Sequence, residues 1–498
     1  MAAVDLGSNS FRLLIAKQEG GQIVPISTHR EGVRLAAGLD RNNELSRSKI
    51  DEAVAALGRF RERLTSVAPK RVRAVATSTY RTATNSQTLL SQSQRALGLP
   101  IDIVSGPEEA RLIYLGCAHT LPWSNDERLI VDIGGGSTEF IVGTQYTPEL
   151  MESFALGAVT LSQHFFPNGT VTSAAFRKAD IYVRSRLEVL HARYKQGWAT
   201  AYGSSGTVRA LHEIVSENGF DSGLTFEGLL KLQRTLIDAG DVTAVTLSAL
   251  KSSRAPVLPG GLAILLGLMR ELRIERVDPA EGALRLGALY DMLDREGAEA
   301  AKGGQGAEPP KRSQRDPRTL TVARLQKRYD VDVAQAARVA SAAQTLWRSL
   351  GHTEIDPLLE WASGLHEVGM AIAHPDYHKH SAYVLAHADL YGFSEQERAD
   401  LVNLVLGHTG SLKKLTRESF NNALLERLAC LRVAAIYSHG RSPVALSAQL
   451  SAPDDSWTAF RLRCDAKELD ARPLTLALLE EDAERWEKFG VPLIVEMH

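Results

Sequence analysis

Two short segments set the chemistry of this sequence: Asp5-Leu6-Gly7-Ser8-Asn9-Ser10 and Asp132-Ile133-Gly134-Gly135-Gly136-Ser137-Thr138. Each places an aspartate at the end of an apolar strand pattern and follows it with small residues that read as a hairpin turn. Glycine lets the backbone come close to a phosphate and aim N–H groups at it, while Ser and Thr add hydroxyl donors without charge. The aspartates supply hard oxygens that can hold Mg2+ directly or through water. A glycine-rich hairpin turn is by itself most often only a turn, but here the Asp-bearing loop is written twice. A third segment, Gly203-Ser204-Ser205-Gly206-Thr207, follows the strand-like run Ala199–Tyr202 and opens a helical pattern, which suits anion binding at a helix N-terminus. In Ser105-Gly106-Pro107-Glu108-Glu109, Pro107 fits the first turn of a helix, so both glutamates lie where the helix dipole favours an ionised carboxylate.

The elements that must carry these loops are legible as a duplication. Ala2–Leu6 and Phe11–Ala16 read as strands around the first turn, and Leu129–Ile133 and Glu139–Val142 repeat them around the second. Ile50, Val54, Leu57, Phe60 and Leu64 recur at helical spacing; Val72–Thr77 and Ile101–Val104 read as further strands, with a helix over Thr88–Leu97 between them. Glu296–Arg318 is rich in Gly, Ala, Pro and charge without apolar periodicity, which is linker composition. Before it the chain is α/β; after it the patterns are almost wholly helical. The expected domains are 1–120 and 121–295 as two lobes, 296–318 as linker, 319–441 as a helical domain and 442–498 as a small C-terminal domain.

A length of 498 residues with 44% hydrophobic and 23% charged content is that of a multi-domain globular protein. Three cysteines without a C-x-x-C pair suggest neither a disulfide framework nor a zinc site, and fit a reducing cytoplasm. The longest apolar stretch, Val257–Met269, reads as too short to span a bilayer, so no membrane association is expected. A net charge of −2 means that a polyanion must be captured by local sites rather than by the whole molecule's field. Local cations are Lys311, Arg312, Arg315 and Arg318, and Lys413 with Lys414.

These segments resemble those of the exopolyphosphatase and guanosine pentaphosphate phosphohydrolase family, within the sugar kinase, heat-shock chaperone and actin superfamily. The resemblance is carried by Ala3–Phe11, Ser105–Ile113, Val131–Glu139, Gly203–Leu211 and Glu281-Gly282-Ala283-Leu284-Arg285, in order along the whole chain. It implies a duplicated actin-like, ribonuclease H-like fold followed by an all-α, degenerate HD-like C-terminal region, and hydrolysis of a phosphoanhydride. It implies that Glu109 acts on the attacking water, that Arg81 contacts substrate, and that Asp5, Asp132 and Glu139 serve Mg2+ or its hydration shell. Ser8, Asn9, Ser10, Gly134, Gly135, Gly136, Ser137, Thr138 and Gly206 are then the phosphate contacts. K+ is expected as an accompanying ion.

Eight of the 14 histidines fall between His352 and His439. His366-Glu367 has a glutamate where the histidine-aspartate phosphohydrolases carry their defining aspartate, which argues against a second metal centre there. The helical half is read as a binding and dimerisation module with His378, His380, Lys413 and Lys414 as polyphosphate contacts. Inorganic polyphosphate is the expected substrate, guanosine pentaphosphate or tetraphosphate the alternative, and a homodimer the expected assembly, with no nucleic-acid partner. An actin-like ATPase or nucleotide-sensing protein is the reading from another class; it leaves Glu109 and Arg81 without a role.

Overall fold

The computed structural model describes residues 1–19, 22–194, 197–303, 316–441, 446–452 and 459–497, the side chains of 191–193 and 297–303 excepted. Lys311, Arg312, Arg315 and most of the linker lie outside the described residues. The chain divides into two units, Met1–Arg315 and Asp316–His498.

The first unit holds two sheets built on the same plan. In one, β1 (Ala2–Leu6), β2 (Phe11–Glu19), β3 (Gln22–Glu31), β4 (Val72–Ala76) and β5 (Asp102–Ile103) lie in the order β3-β2-β1-β4-β5. In the other, β6 (Glu127–Ile133), β7 (Thr138–Thr144), β8 (Thr147–Phe154), β9 (Trp198–Ser204), β10 (Leu224–Thr225) and β11 (Arg276–Pro279) lie in the order β10-β11-β9-β6-β7-β8. The hairpin β1-β2 with β4 parallel to β1 is matched by the hairpin β6-β7 with β9 parallel to β6. Both glycine-rich loops therefore emerge at the same end of equivalent strands. The fourth strand expected over Ile101–Val104 is only two residues long, because Val104 turns its backbone to Ala76 and the chain enters a helix at Gly106.

Helices cover these sheets: α1 (Arg47–Arg63), α2 (Ser78–Thr82), α3 (Ser86–Leu97) and α4 (Gly106–Ala118) in the first half, then α5 (Ala158–Phe165), α6 (Ser173–Tyr194), α7 (Ser205–Glu217), α8 (Phe226–Ala239), α9 (Leu258–Leu272) and α10 (Leu284–Gly303). The α1 stripe Ile50, Ala53, Leu57 and Phe60 is buried, and Ser46 caps its start by accepting from the Lys49 N–H. In α9 every residue from Leu258 to Met269 is buried. The apolar run extends to 18 residues, Ala255–Leu272, longer than the sequence reading allows, and is long and apolar enough to cross a membrane. It is instead apolar on all sides because it fills the core beside the second sheet, where each fully buried Leu or Ile contributes roughly 1.5–3 kcal/mol.

The second unit is helical through α11 (Pro317–Arg328), α12 (Val333–Ser349), α13 (Pro357–Leu365), α14 (Tyr377–His387), α15 (Glu395–Gly407) and α16 (Asn422–Tyr437). It then adds what the helical reading omits: a sheet of β12 (Gln449–Ser451), β13 (Phe460–Cys464) and β14 (Leu493–Met497), with α17 (Ala466–Asp470) and α18 (Pro473–Phe489) between its last two strands. One core runs from Leu325 through Leu428 and Phe460 to Trp486, so helices and sheet share their apolar interior. Arg432 on α16 and Asp482 on α18 form an ion pair inside it, each side chain 1% exposed. A charge pair so deeply desolvated holds only with its remaining donors satisfied, and Arg432 also donates to the Gly407 and Gly410 carbonyls.

Candidate active site

The two Asp-bearing loops of the first unit meet face to face. A Cβ added to Gly135 would lie 3.0 Å from the Asn9 nitrogen, and one added to Gly136 would lie 2.8 Å from Ser78 Oγ and 3.0 Å from Ser8 Oγ. Only a residue without a side chain lets the loops approach this closely. Each loop is tied down from behind: Arg34 and Ala36 N–H groups donate to the Asn9 and Ser8 carbonyls, and Ala158 and Val159 N–H groups donate to those of Gly134 and Gly135. Thr79 Oγ1 donates to Ser8 Oγ at 2.7 Å.

Asp5, Gly7 to Ser10, Glu109, Asp132 and Gly134 to Ser137 line one cleft. The start of α7, Ser205 to Thr207, closes one side of it. Here the expected glycine loop is a strand running straight into a helix, with Ser205 at φ +84° and its Oγ accepting from the Thr207 and Val208 N–H groups. The guanidiniums of Arg254 and Arg12 close over Gly206: a Cβ there would fall 2.2 Å from Arg254 Nη2 and 2.9 Å from Arg12 Nη2.

Three carboxylates, Asp5, Glu109 and Asp132, line the cleft, and a fourth, Glu139, is buried behind them. Asp132 is pushed up to about 7, chiefly by burial, with a Ser204 hydrogen bond opposing and the charges of Glu109 and Asp5 adding. Burial likewise raises Asp5, against the pull of Arg285 and Arg12. Burial raises Glu109; Arg81 opposes this, and Asp5 adds to it. Glu139, 1% exposed and reached by Ser153 Oγ at 2.9 Å, is raised well above the carboxylate range by burial and then by Glu109 and Asp132. Like charges held together in a dry cleft create a demand for a cation. The donor set, all hard oxygen, fits Mg2+. Among the described residues no group of three or more His, Cys, Asp or Glu side chains is placed to hold a metal ion by itself.

The structure separates the expected contacts. Ser8, Asn9, Ser10, Gly134, Gly135, Gly136, Ser137 and Gly206 line the cleft with Asp5, Asp132 and Glu109. Thr138 does not: it is fully buried and its Oγ1 donates to the Leu156 carbonyl at 2.5 Å, because as the first residue of β7 its side chain points into the fold. Contrary to expectation, the Thr138 hydroxyl is committed within the fold and is not presented to a phosphate. Glu139 sits behind the cleft rather than on its wall. Arg81 donates through Nη1 to Glu109 Oε2 at 2.9 Å and to the Val104 carbonyl at 2.7 Å, and does not itself line the cleft.

Sequence reasoning missed three cleft arginines, Arg12, Arg254 and Arg285. Arg254 and Arg285 are lowered to about 10, by burial first and then by the other arginines: Arg30, Arg12 and Arg209 for Arg254, Arg12 for Arg285. Arg285 Nε is buried with no hydrogen-bond partner among the described residues. Arg12 stands two residues beyond cleft-lining Ser10 and could have been found by the period of two; Arg285 ends the Glu281–Arg285 segment that carries the resemblance, though nothing local gives it a role, and Arg254 arrives from a distant segment without a local signal.

In the second unit, His378 and Lys414 converge on Gly410: a Cβ there would lie 3.7 Å from His378 Cε1 and 3.6 Å from Lys414 Nζ. Burial lowers His378 to about 4 and Lys414 to about 7, the neighbouring cations Lys414 and Arg432 respectively coming next. His380 is half-buried two positions along α14, and Lys413 is exposed, so neither joins this pair. Glu367 Oε1 accepts from Arg441 Nη2 at 2.7 Å. His366 and His408 are buried with ring centroids 5.1 Å apart, and Tyr377 Oη lies 3.0 Å from His408 Nε2.

Two facing glycine-rich loops, a buried carboxylate cluster and cleft arginines lie on a two-lobed actin-like fold, in a chain whose family is one of phosphoanhydride hydrolases. The chain belongs to the Ppx/GppA phosphatase family: residues 14–296 match that family's model, and residues 318–483 match that of Ppx/GppA phosphatase, domain III. A guanosine-5'-triphosphate,3'-diphosphate pyrophosphatase of Vibrio cholerae serotype O1 is 35% identical over 100% of this chain and 98% of its own length. Its counterpart in Vibrio vulnificus is 35% identical over 99% of this chain and 98% of its own. The crystal structure of an exopolyphosphatase from Cytophaga hutchinsonii shares the fold at TM-score 0.53 and 23% identity, covering 59% of this chain and 97% of that one.

Proposed function

We propose that this protein is an exopolyphosphatase that removes the terminal phosphate from inorganic polyphosphate. The observation that carries the reading is the rank of arginines beside the loops. After burial, the charge of Arg12 holds down both Arg254 and Arg285, and Arg285 Nε has no hydrogen-bond partner among the described residues, so the cleft wants more anionic charge than one phosphate brings. A chain of phosphates supplies it.

In this reading the terminal phosphate lies between the loops, on their N–H groups and the Ser8, Ser10 and Ser137 hydroxyls. Glu109 orients the attacking water and takes its proton; the water oxygen bonds to the terminal phosphorus as the anhydride P–O bond breaks and its electron pair leaves with the shortened chain. Arg12, Arg254 and Arg285 hold that leaving chain, and bidentate guanidinium contacts suit its oxygens. Asp5, Asp132 and Glu139 would hold Mg2+, which when bound neutralises phosphate oxygens as charge shifts to the leaving group. K+ is proposed as an accompanying ion. His378 and Lys414 are proposed to hold the more distant part of the chain on a degenerate HD-like second unit. Three free, buried cysteines support a reducing, cytoplasmic setting.

The full-length relatives named as guanosine-5'-triphosphate,3'-diphosphate pyrophosphatases favour a second reading, 5'-phosphate removal from guanosine pentaphosphate by the same groups. Phosphate release from long polyphosphate, short polyphosphate and guanosine pentaphosphate under matched Mg2+ and K+ tests both. The first reading expects the highest kcat/KM on polyphosphate; a clear preference for the nucleotide replaces it with the second.

A further inference from the structure

We propose that Asp291, with Arg73 and Arg111, forms a clamp behind the cleft that sets the positions of Glu109, Arg81 and Arg285; the proposal rests on the reading that Glu109 acts on water. Asp291 lies on α10 with its side chain 1% exposed, and three guanidiniums converge on it. Arg73 Nη1 and Arg295 Nε donate to its Oδ2, and Arg111 Nη2 donates to its Oδ1. Arg111 also donates to both oxygens of Glu108, from Nε at 2.7 Å and Nη2 at 2.9 Å. Burial works against the Asp291 charge, but Arg111, Arg295 and Arg73 hold its carboxyl well below the usual range.

The three tied elements are those that deliver the site. Arg73 is on β4, whose end leads directly into α2 and Arg81. Arg111 is on α4, two residues beyond Glu109. Asp291 is on α10, whose first turn carries Arg285. The clamp thus sits at the back of each element whose front end enters the cleft.

Alongside the clamp, α4 and α10 touch backbone to backbone. A Cβ on Gly116 would meet the Ala283 carbonyl at 2.3 Å, and one on Gly287 would meet that of Leu112 at 1.7 Å. A crossing with so little side-chain padding transmits a displacement at the clamp rather than absorbing it. Arginine suits the role because its planar fork fixes direction as well as charge, which a lysine ammonium does not. Asp291, Arg73 and Arg111 are positioning residues, since none of them lines the cleft.

The test compares Arg73→Lys with Arg295→Gln in the full-length protein. Both remove a fork contact to Asp291, but Arg73 links β4 to α10 whereas Arg295 bonds Asp291 within α10 itself, four residues on. Initial rates of phosphate release are measured on polyphosphate well below each variant's thermal midpoint. Arg73→Lys is expected to lower kcat by roughly 10- to 100-fold with KM within about threefold, the scale of an ångström-sized misplacement. Arg295→Gln is expected to lower the midpoint while keeping kcat. Equal kcat in Arg73→Lys and wild type, or equal kcat losses in the two variants, overturns the clamp. Glu109→Gln is run beside them: full turnover there sinks the Glu109 reading itself, whereas a Glu109→Gln defect with a normal Arg73→Lys removes only the clamp.

Discussion

Replacing Arg81 by methionine should move the acid limb of the pH–rate profile upward. Arg81 Nη1 lies 2.9 Å from Glu109 Oε2, and it is the guanidinium opposing burial and Asp5 in setting that carboxyl's ionisation. The side chains are 20% and 10% exposed, so solvent screens the pair only partly. An opposite charge at this range lowers a carboxyl by about 1–3 pKa units, or about 1.4–4 kcal/mol between its two protonation states. Glu109 must be ionised to take a proton from water. Its pKa is already raised in the intact protein, and removing Arg81 raises it further, so activity is lost at a higher pH as the solution is acidified. The midpoint of the acid limb of kcat/KM, which reports the free enzyme, should rise in Arg81→Met. Arg81→Lys, which keeps the charge, should shift it less. The orphaned Val104 carbonyl adds about 1 kcal/mol of instability, so the profile is taken at low temperature. An acid limb at the same pH in Arg81→Met and wild type, with only the plateau lowered, would refute the pairing as the control of Glu109.

Asp132→Asn should lower turnover in a way that rising Mg2+ partly offsets, measured as a Mg2+ titration of initial rate; a defect equal at all Mg2+ concentrations counts against metal placement. Thr138→Val should cost about 1 kcal/mol of stability in a denaturant melt while leaving KM for polyphosphate unchanged, because its hydroxyl is committed to the Leu156 carbonyl. A fragment covering Met1 to Gly303 should fold and cleave short polyphosphate yet lose preference for long chains, most visibly at low salt. The fragment loses the salt-sensitive, linked contacts that the second unit would add to a long chain. An unchanged long-to-short rate ratio in the fragment would leave His378 and Lys414 without a role in chain capture.

The duplicated hairpins were readable because alternating apolar strands and small-residue turns are local signals, and their repetition in one chain made two weak signals into one strong one. The Ser105–Glu109 helix start was readable for the same reason, from Pro107 and the acidic first turn. Thr138 misled because position in a loop says nothing of which way a side chain points once the strand begins; the two-residue alternation of β7 turns it inward. Arg254 was invisible because it reaches the cleft from the turn ahead of α9, far from the loops in sequence, and Arg285 stood in the recognisable Glu281–Arg285 segment, whose place at the cleft no local pattern gives. The three-stranded sheet of the second unit was hidden among helical patterns because its strands are three and five residues long and separated by α17 and α18. The clamp on Asp291 could not be read at all, since its members are spread over more than two hundred residues and only packing brings them together.

The central claim is that Glu109 acts on the attacking water in a cleft otherwise built to hold phosphate. Glu109→Gln keeps the shape and a hydrogen-bonding group but cannot take the proton. Single-turnover phosphate release from polyphosphate, with binding measured on the same preparation, tests this directly. The account predicts binding within about threefold of wild type and a rate lower by at least ~10²-fold. A Glu109→Gln protein that releases phosphate at the wild-type rate would contradict it.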